Sequence, residues 1–329
     1  MPLPSIQKAV VVEKVGGPEV LQYRTDYPVL LPKETQVLVK NAVSGINYID
    51  TYFRSGLYPC AKPEVLGREA IGTVVALGEN TEKYGFRVGD RVIWLGTGGY
   101  AEYACVSAER VVKLPVGLSD EIAIASFMSG LTVLALVRET YNVKSGDKVL
   151  LHAAAGGAGI LMTQVLKDIG AYVIGTAGGP EKVALVKSLG ADHVIDYRSE
   201  DWVRIVKRIT DNQGVDVVYD SVGRDTCEGS LECVKRKGTI VWFGNSSGPI
   251  PPLPLNLLSP KAVKIARPTL LAYITTREEL RLYSDELFQF LISGKLKVNI
   301  HHIYKLDDIQ QAHKDLESRK TMGKLLLRP

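Results

Sequence analysis

The chain has 329 residues, of which 46% are hydrophobic and 23% charged, and its formal net charge is +4. This length exceeds that of most single domains, so we expect two domains within a globular protein of ordinary composition. The small charge is spread along the chain, which excludes a polybasic arm for nucleic-acid binding.

The first 17 residues lack the apolar core and cleavage site of a signal peptide, and no apolar segment approaches the length of a membrane span. Cys60, Cys105, Cys227 and Cys233 are scattered and fit neither a zinc knuckle nor a redox C-x-x-C motif. We therefore expect reduced thiols, no membrane contact, and a cytoplasmic protein that could also enter the nucleus.

Residues 1–125 predict a β-rich domain. Short apolar runs at 9–12, 36–40 and 91–94 are separated by Gly, Pro and Asn residues, which indicates a compact barrel or sandwich. Near residue 119 the pattern changes, since Ser119 begins a predicted helix that carries Thr132.

The segment Asn47 to Pro59 is polar and aromatic, and we interpret it as a loop of the β-rich domain. If it faces a cleft, Asn47, Tyr48 and Asp50 can reach the nicotinamide half of a cofactor. Tyr48 and Tyr58 would then offer flat walls to a flat acceptor. The alternative is that these tyrosines only pack within the domain.

Residues 146–176 predict a strand, a glycine-rich turn, a helix and a second strand, the first βαβ unit of a dinucleotide-binding domain. The turn, from Ala154 to Gly159, has the G-x-G-x-x-G spacing with alanine in the first place. Gly156 is expected to let the backbone approach a pyrophosphate, and Gly159 to let the helix pack on the strand. An Ala/Gly-rich turn in another α/β protein is the alternative.

The residues after the second strand favour NADPH over NADH. NAD-binding proteins usually place Asp or Glu there, whereas this chain has glycine at 175, 178 and 179. Lys182 follows as a counter-charge for a 2′-phosphate, and Arg319 could join it through a bidentate contact. Solvated surface positions are the alternative for both cations.

Strands and helices alternate from residue 146 to 266, which predicts a doubly wound parallel sheet. After the first βαβ unit, the predicted elements include helices at 181–189 and 202–209, strands at 193–196, 215–220 and 239–243, and, after a proline-rich connection at 248–260, a strand at 262–266. Two predicted strand ends, 219–223 and 243–248, lie at the edge where such sheets bind ligands. The tail from about 267, with a capping box at Thr276 and Glu279, is expected to return to the β-rich domain. That path would place the active site in a cleft between the domains.

Neither a metal site nor a serine hydrolase is predicted. No G-x-S-x-G motif occurs. The histidines fit no zinc-ligand spacing; they are His152, His193, His301, His302 and His313.

Several segments together resemble the quinone oxidoreductase or zeta-crystallin family of the medium-chain dehydrogenase/reductase superfamily, over essentially the whole chain. The segments that carry the resemblance are HAAAGGAGI, NYIDTYFRSGLYP, YDSVGRDT, FGNSSG and RPTLLAYITTREEL. The resemblance implies an α/β protein with a GroES-like catalytic domain at 1–125 and 267–329 and an NADPH-binding Rossmann domain at 126–266. It also implies homodimers that pair the last strand of each Rossmann sheet.

The same resemblance implies a zinc-free site. Zinc alcohol dehydrogenases of this superfamily carry a catalytic G-H-E, where this chain has Gly67-Arg68-Glu69. Asn47 and Asp50 lie where the other metal-site segment would be, and the loop with four structural-zinc cysteines is missing.

The residues and the resemblance together predict a cofactor site. Its members are Asn47, Tyr48, Ile49, Asp50, Thr132, Gly156, Gly157, Ala158, Gly159, Gly178, Gly179, Lys182, Tyr197, Val222, Phe243, Gly244, Ser246, Ser247, Gly248, Pro268, Thr269, Leu270 and Arg319.

The predicted activity is reduction of a quinone, or a similar conjugated carbonyl, by the C4 hydrogen of NADPH. Charge on the acceptor oxygen is delocalised through the ring, so a Lewis acid is less necessary. Tyr48 is the predicted hydrogen-bond donor to substrate and Tyr58 a wall. The resemblance also allows one-electron reduction. Two alternatives are an enone or alkene reductase and, by family analogy alone, an AU-rich RNA-binding regulator.

Overall fold

The computed structural model describes residues 3–329, which divide into two compact units. Unit 1 comprises the chain up to Met128 together with Ile274–Gly294 and Val298–Pro329. Unit 2 comprises Ser129–Tyr273 and Lys295–Lys297.

Strands predominate up to Lys113, and strands and helices largely alternate after it. In chain order they are β1 (Ile6–Val12), β2 (Leu21–Pro28), β3 (Gln36–Ile46), α1 (Tyr48–Ser55), β4 (Glu64–Val65), β5 (Glu69–Leu77), β6 (Arg91–Leu95), β7 (Tyr103–Ser107), β8 (Val111–Lys113), α2 (Asp120–Ala135), β9 (Lys148–Leu151), α3 (Gly157–Ile169), β10 (Tyr172–Ala177), α4 (Pro180–Ser188), β11 (His193–Asp196), α5 (Trp202–Ile209), β12 (Val215–Asp220), α6 (Cys227–Cys233), β13 (Val234–Trp242), β14 (Lys264–Ala266), α7 (Leu270–Tyr273), α8 (Arg277–Ile292), β15 (Ile300–Lys305), α9 (Ile309–Glu317) and β16 (Lys324–Arg328).

Unit 1 is built on two β-sheets. One has three strands in the order β2-β1-β4, and the other has the order β15-β16-β3-β5-β6-β8 with β7 also paired to β3. Alternate residues of β3 and β5, such as Val37, Val39 and Val74, lie in one buried cluster with Trp94. Leu38, between two members of this cluster, is also buried, so β3 is covered on both of its faces. The β-rich character predicted for this part of the chain is confirmed.

The prediction that Asn47 to Pro59 is a loop is wrong, because this segment contains helix α1. Asn47 is its N-cap, the Asp50 carboxylate accepts a hydrogen bond from the Asn47 N–H (2.8 Å), and Gly56 ends it in the left-handed conformation (φ 84°). The signals were present in the sequence as N-x-x-D and a following glycine. The tyrosines between them have a lower helix propensity than alanine or leucine, so the segment lacks a strong helical pattern.

Unit 2 contains a six-stranded parallel sheet in the order β11-β10-β9-β12-β13-β14. The order reverses beside β9, where Val149 pairs with Val173 on one side and Val217 on the other. This is the doubly wound arrangement predicted from the alternation of elements, and ligands bind such sheets at the reversal point. Helices α5 and α6 pack on the sheet through a core that includes Val206 and Cys233.

Two element boundaries in unit 2 differ from the predictions. Strand β13 begins at Val234 rather than Thr239, because its first residues form an irregular pairing in which Lys237 has φ 64°. The sequence does not indicate this start, because residues 235–238 are the polar run Lys-Arg-Lys-Gly and have no strand pattern. The proline-rich connection contains a 3-10 helix, Leu255–Lys261, so β14 begins at Lys264 rather than Ala262.

Helix α2 and the π-helical turn that follows it, Asp120–Thr140, qualify as a membrane-spanning helix by length and composition. The prediction that no apolar segment approaches the length of a membrane span is therefore wrong. The structure buries 72% of its apolar window inside the protein, as expected for a core helix. Ser119 caps α2 as predicted, since its hydroxyl accepts from the Ile122 N–H (3.3 Å).

Candidate functional site

The glycine-rich turn joins β9 to α3 at the reversal point of the parallel sheet. Ala154 lies within the tight turn, as the glycine spacing predicted, since the Gly156 N–H donates to the Ala153 carbonyl (2.9 Å). Ala153, one residue earlier, has φ 53°. A methyl group added to Gly159 would lie 2.4 Å from the Ala153 oxygen, so only glycine allows α3 to approach the strand this closely. The close packing predicted for Gly159 is confirmed, and Gly170 ends α3 with φ 90°.

The N-terminus of α3 is partly exposed. Gly156 is the N-cap, and Gly156, Gly157 and Ala158 are all partly exposed. The first N–H groups of an α-helix have no partner within the helix, and the helix dipole adds positive potential there. This arrangement can bind an anion such as a pyrophosphate.

A second group of predicted residues lies together between β10 and α4 and after β11. A methyl group on Gly178 would lie 2.6 Å from the Tyr197 hydroxyl oxygen and 3.1 Å from the Arg198 Nε. Lys182 is half-buried in the first turn of α4, and burial, followed by the nearby Arg198 charge, lowers its pKa. Arg198, which the sequence analysis missed, therefore belongs to this cationic cluster of Lys182, Tyr197 and Arg198.

The loop that carries this cluster is shaped by Asp196, the last residue of β11. Its carboxylate accepts hydrogen bonds from the Gly179 N–H (2.9 Å) and the Arg198 N–H (3.0 Å). These two backbone hydrogen bonds lower the pKa of Asp196. They hold the Gly178-Gly179 turn against the Tyr197-Arg198 turn.

The loops after β12 and β13 lie against each other, as predicted for carboxyl ends of neighbouring parallel strands. The Ser247 hydroxyl donates to the Val222 carbonyl (2.9 Å) and accepts from the Asp225 N–H (3.0 Å). The Phe243 N–H donates to the Asp220 carbonyl, and the Ser246 N–H bonds the Ser221 carbonyl. The other predicted residues of unit 2 lie on α2 (Thr132), in this second loop (Gly244 and Gly248), just after β14 (Pro268 and Thr269) and at the start of α7 (Leu270).

A buried polar network supports these loops from beneath. The two ring nitrogens of His152 lie 3.0 Å from the Thr176 hydroxyl and 3.3 Å from the Ser230 hydroxyl, and Ser230 donates to Asp220 (3.1 Å). Burial lowers the pKa of His152, so the ring is neutral and serves as a hydrogen-bonding link. The network ties the ends of β9, β10 and β12 together at the ligand edge of the sheet.

In unit 1, helix α1 presents the predicted aromatic residues as a cluster. The Tyr52 ring centroid lies 5.7 Å from that of Tyr48 and 5.1 Å from that of Tyr58, and the Phe53 ring lies 5.8 Å from Tyr58. Tyr48 is half-buried, and burial, with the Glu317 charge second, raises its pKa. Tyr48 therefore keeps its proton at neutral pH and can donate a hydrogen bond.

Beneath α1 runs a chain of buried polar side chains. The Tyr100 hydroxyl donates to Asp50 (2.8 Å) and lies 3.3 Å from the His313 Nε2, while Arg54 contacts the His313 Nδ1 at 3.0 Å. Because an arginine can only donate, Nδ1 accepts and the Nε2 proton faces Tyr100. Arg54 also forms a bidentate ion pair with Glu317, at 2.9 and 2.7 Å.

Burial shifts the pKa values of two titratable side chains in this buried network in opposite directions. Burial raises the pKa of Asp50 to about 6, against the lowering effect of its hydrogen bonds and nearby cations. Burial, with the Arg54 charge second, lowers the pKa of His313 to about 3. At neutral pH the buried network therefore contains an ionised Asp50 and a neutral His313.

A second buried cluster joins α1 to the two strands at its base. Glu69, fully buried, and Lys324, which is 4% exposed, form an ion pair of 2.7 Å. Asn47 lies between them: its amide nitrogen donates to Glu69 (2.8 Å) and its amide oxygen accepts from Lys324 (2.5 Å). The Met128 N–H donates to the second Glu69 oxygen (2.8 Å).

The side chains around Arg68 and Glu69 do not form a site that fits a metal ion. Arg68 stands where zinc enzymes have histidine, with its guanidinium 3.7 Å from the centre of the Phe53 ring and bonded to Glu64. Both oxygens of Glu69 already accept from protein donors. Across residues 3–329 the structure brings together no group of three or more His, Cys, Asp or Glu side chains that could hold a metal ion.

Arg319 belongs to unit 1, just after α9, and has φ 60°. Its positive charge partly offsets the rise in the Tyr48 pKa that burial causes. Tyr100 and Lys324 could not be predicted as site residues, since neither lies in a recognisable motif. Only Arg198, next to the predicted Tyr197, had a signal that could have been used.

Two family models match the chain: one described as "Alcohol dehydrogenase GroES-like domain" over residues 33–116, and one described as "Zinc-binding dehydrogenase" over residues 157–286. A quinone oxidoreductase of Salmonella typhimurium is 47% identical, with 96% of this chain and 98% of that protein covered. A crystal structure of Escherichia coli quinone oxidoreductase complexed with NADPH superposes with a TM-score of 0.94 at 45% identity, covering 98% of this chain and 100% of that one. A 2-haloacrylate reductase of a Burkholderia species is 35% identical, with 98% of each chain covered.

Proposed function

The chain belongs to the quinone oxidoreductase family of the medium-chain dehydrogenase/reductase superfamily, and we propose that it is a zinc-independent NADPH:quinone oxidoreductase. The observation that carries this proposal is its near full-length similarity to a quinone oxidoreductase solved with NADPH. In this proposal residues 126–266 form the NADPH-binding domain, and residues 1–125 with 267–329 form the catalytic domain.

The residues of unit 2 fit the two phosphate-bearing parts of NADPH. The pyrophosphate would lie against the exposed N–H groups at Gly157 and Ala158, where Gly156 leaves room for close approach. The 2′-phosphate would bind the cationic cluster of Lys182, Tyr197 and Arg198. Two neighbouring cations favour a dianion over the bare ribose hydroxyls of NADH, and we assign Arg319 to the same phosphate from the family resemblance.

The remaining predicted residues are assigned to the rest of the cofactor. We propose that the loop residues after β12 and β13 contact the central part of the molecule, and that Asn47, Ile49 and Asp50 lie toward the nicotinamide. The hydrogen bonds between Ser247 and Val222 hold these two loops in one arrangement before any ligand arrives.

When bound, NADPH supplies a hydride from C4 of its nicotinamide ring. The protein's contribution is to position the acceptor and to stabilise charge on its oxygen. Tyr48 would donate a hydrogen bond to that oxygen, since burial keeps its hydroxyl protonated. Tyr58, held edge-on by Tyr52 and Phe53, would form one wall for the flat ring.

Steady-state oxidation of NADPH by purified protein tests the activity. We expect oxidation to accelerate with added 1,2- or 1,4-quinones, and Tyr48→Phe to lower kcat by about tenfold to a hundredfold with little change in the KM for NADPH. Tyr23→Phe, at an exposed position on β2, is the control. Oxidation that is no faster with any quinone than without acceptor would refute the proposal.

A second candidate activity is reduction of an activated alkene, which the similarity to a 2-haloacrylate reductase favours. The same cofactor residues would serve both reactions, and only the acceptor differs. A substrate panel that pairs quinones with 2-haloacrylates and enones, compared by kcat/KM, separates the two. A higher kcat/KM for the alkenes would make alkene reduction the principal activity.

We also propose that the protein is a homodimer in the cytoplasm. Edge strand β14 exposes Ile265, and the neighbouring 3-10 helix exposes Leu255 and Leu257, which gives a second copy both a strand edge and apolar side chains to pair with. Light scattering after gel filtration is expected to give twice the 36.0 kDa chain mass, and Ile265→Lys to give the monomer. A monomeric wild type would refute the dimer.

RNA binding and a nuclear location stay predictions that rest on the family resemblance alone. Competition tests the first: AU-rich RNA that is displaced by NADPH would occupy the cofactor groove. No binding at moderate salt would remove the hypothesis, because nonspecific phosphate contacts weaken steeply with salt.

A further inference from the structure

The buried ion pair of Glu69 and Lys324 has no direct role in the proposed hydride transfer. Both groups are the first residues of strands, Glu69 of β5 and Lys324 of β16, and they are separated by 255 positions in the chain. Replacing such a pair with apolar side chains is often neutral or stabilising, because burying charge has a large desolvation cost. Stability alone therefore does not explain why the fold keeps two charges here.

The surrounding backbone makes room for the pair. A methyl group on Gly45 would lie 2.3 Å from the Glu69 Oε1 and 2.8 Å from its carboxyl carbon, so β3 leaves this space for the carboxylate. Glu69 then accepts from Lys324, Asn47 and Met128, which lie on different elements. Such a convergence fixes each donor in direction as well as in distance.

Asn47 is the member of this cluster that leads to the proposed site. Its side chain is held at both ends, by the Lys324 ammonium (2.5 Å) and by Glu69 (2.8 Å). Its N–H donates to Asp50 (2.8 Å), so the same residue defines where α1 begins. The next residue is Tyr48.

We propose that Lys324 is a positioning residue whose ammonium group is the internal cation of the site. By holding Asn47 against Glu69, this ammonium group fixes the start of α1 and the direction of Tyr48. The chain thus provides its own cation in a region where zinc-dependent relatives bind a metal. The inference rests on the proposed function only in that Tyr48 faces the acceptor.

The test removes the ammonium and returns it from solution. Lys324→Ala leaves a cavity shaped like propylammonium, because that ion supplies the three methylene-chain carbons and the nitrogen that the variant lacks. We expect kcat with a quinone to fall about a hundredfold, as for a misplaced catalytic group, with the KM for NADPH nearly unchanged. Propylammonium is expected to restore at least about a tenth of the wild-type kcat, whereas tetramethylammonium at equal ionic strength restores none.

A second readout does not depend on catalysis. Amide hydrogen exchange at residues 47–55 should speed up in Lys324→Ala and return toward the wild-type rate with propylammonium. If wild type fails to reduce quinones while exchange behaves in this way, the proposed function is wrong and the positioning role stands. If wild type is active and neither kcat nor exchange responds to the substitution, the positioning role is wrong.

Two further variants separate positioning from folding. Glu69→Gln with Lys324→Met removes both charges, and we expect a thermal midpoint near that of wild type but a kcat as low as that of Lys324→Ala. A wild-type kcat in this double variant would overturn the proposal, since the pair would then matter only for stability. Lys305→Ala, at an exposed position on the neighbouring strand β15, is the matched control and should leave both readouts unchanged.

Discussion

The two units build their candidate sites from different materials. In unit 2 the site is made of backbone N–H groups, small residues and half-buried or exposed cations, and the principal turn is contiguous from Ala153 to Gly159. In unit 1 it is made of buried side chains drawn from distant parts of the chain, such as Asp50, Tyr100 and His313. A site made of backbone N–H groups depends on how closely the backbone can approach a ligand. A site made of buried side chains depends on whether each buried polar atom keeps its hydrogen-bond partner.

The charges differ in the same way. In unit 2 the Lys182 and Arg198 cations lie near each other, and burial, with the Arg198 charge second, lowers the pKa of Lys182. In unit 1 the Arg54 and Lys324 cations already have carboxylate partners within the unit, at 2.7 Å in each case. Like charges thus lie together in unit 2, where we propose that a phosphate binds, whereas opposite charges are paired within unit 1.

The largest effect that this contrast predicts is at Gly159. Gly159→Val would force side-chain atoms into the Ala153 and Ala154 backbone, 2.4 and 2.7 Å from the added Cβ, and so push α3 off the sheet. We expect the free energy of unfolding to fall by about 3 kcal/mol or more, and NADPH binding by fluorescence titration to be lost.

Gly156→Ala is the matched control for this substitution. Its added Cβ would lie 3.2 Å from the Ala153 oxygen, and the Gly156 φ of −78° is open to any residue. Stability should change little, while NADPH affinity should fall because the methyl group stands where a pyrophosphate would approach. Equal stability losses in the two variants would contradict the distinction between packing and ligand approach.

The next effect is a pH dependence in unit 1. Asp50 has a pKa of about 6 in the folded chain against an ordinary value of 3.8, so it contributes stability when protonated, and that contribution is lost as pH rises through about 6. The difference corresponds to about 3 kcal/mol. Asp50→Asn removes this titration, so its free energy of unfolding relative to wild type should improve by about that amount from about pH 4 to about pH 7.

Urea unfolding of both proteins across that pH range measures the effect. Asp285→Asn, at an exposed position on α8, is the control. The pKa of His313 is lowered from 6.5 to about 3, so both proteins lose stability as pH falls below about 6.5. This loss is common to both proteins and cancels in the comparison. A stability difference independent of pH would show that Asp50 does not titrate as its burial requires.

The smallest effect is at the exposed end of the cationic cluster. Arg198→Ala removes one of two cations near the proposed 2′-phosphate, and we expect 2′,5′-ADP to bind about tenfold more weakly, a loss of about 1.4 kcal/mol. Binding of 5′-AMP should be unchanged. Calorimetric titration of Arg198→Ala and of the control Arg208→Ala measures both ligands, and equal losses for the two nucleotides would exclude a phosphate contact.

Much of unit 2 could be predicted because its signals are local. Strand β11, helix α5 and strand β12 lie where their apolar periodicity predicts, residue for residue. Gly159 was assigned its packing role from spacing alone, since the motif expresses one steric requirement within one βαβ unit. The left-handed conformation of Ala153 (φ 53°) could not be predicted in this way, because alanine rarely adopts it outside a packed turn.

The doubly wound sheet and the glycine turn could be predicted, because each follows from periodicity or from a steric need within a short segment. The folded chain was needed to see that Lys324 meets Glu69 and that His313 joins Asp50 through Tyr100. A buried charge must find its counterpart wherever the fold brings one, and the distance between the two along the chain leaves no pattern in the sequence.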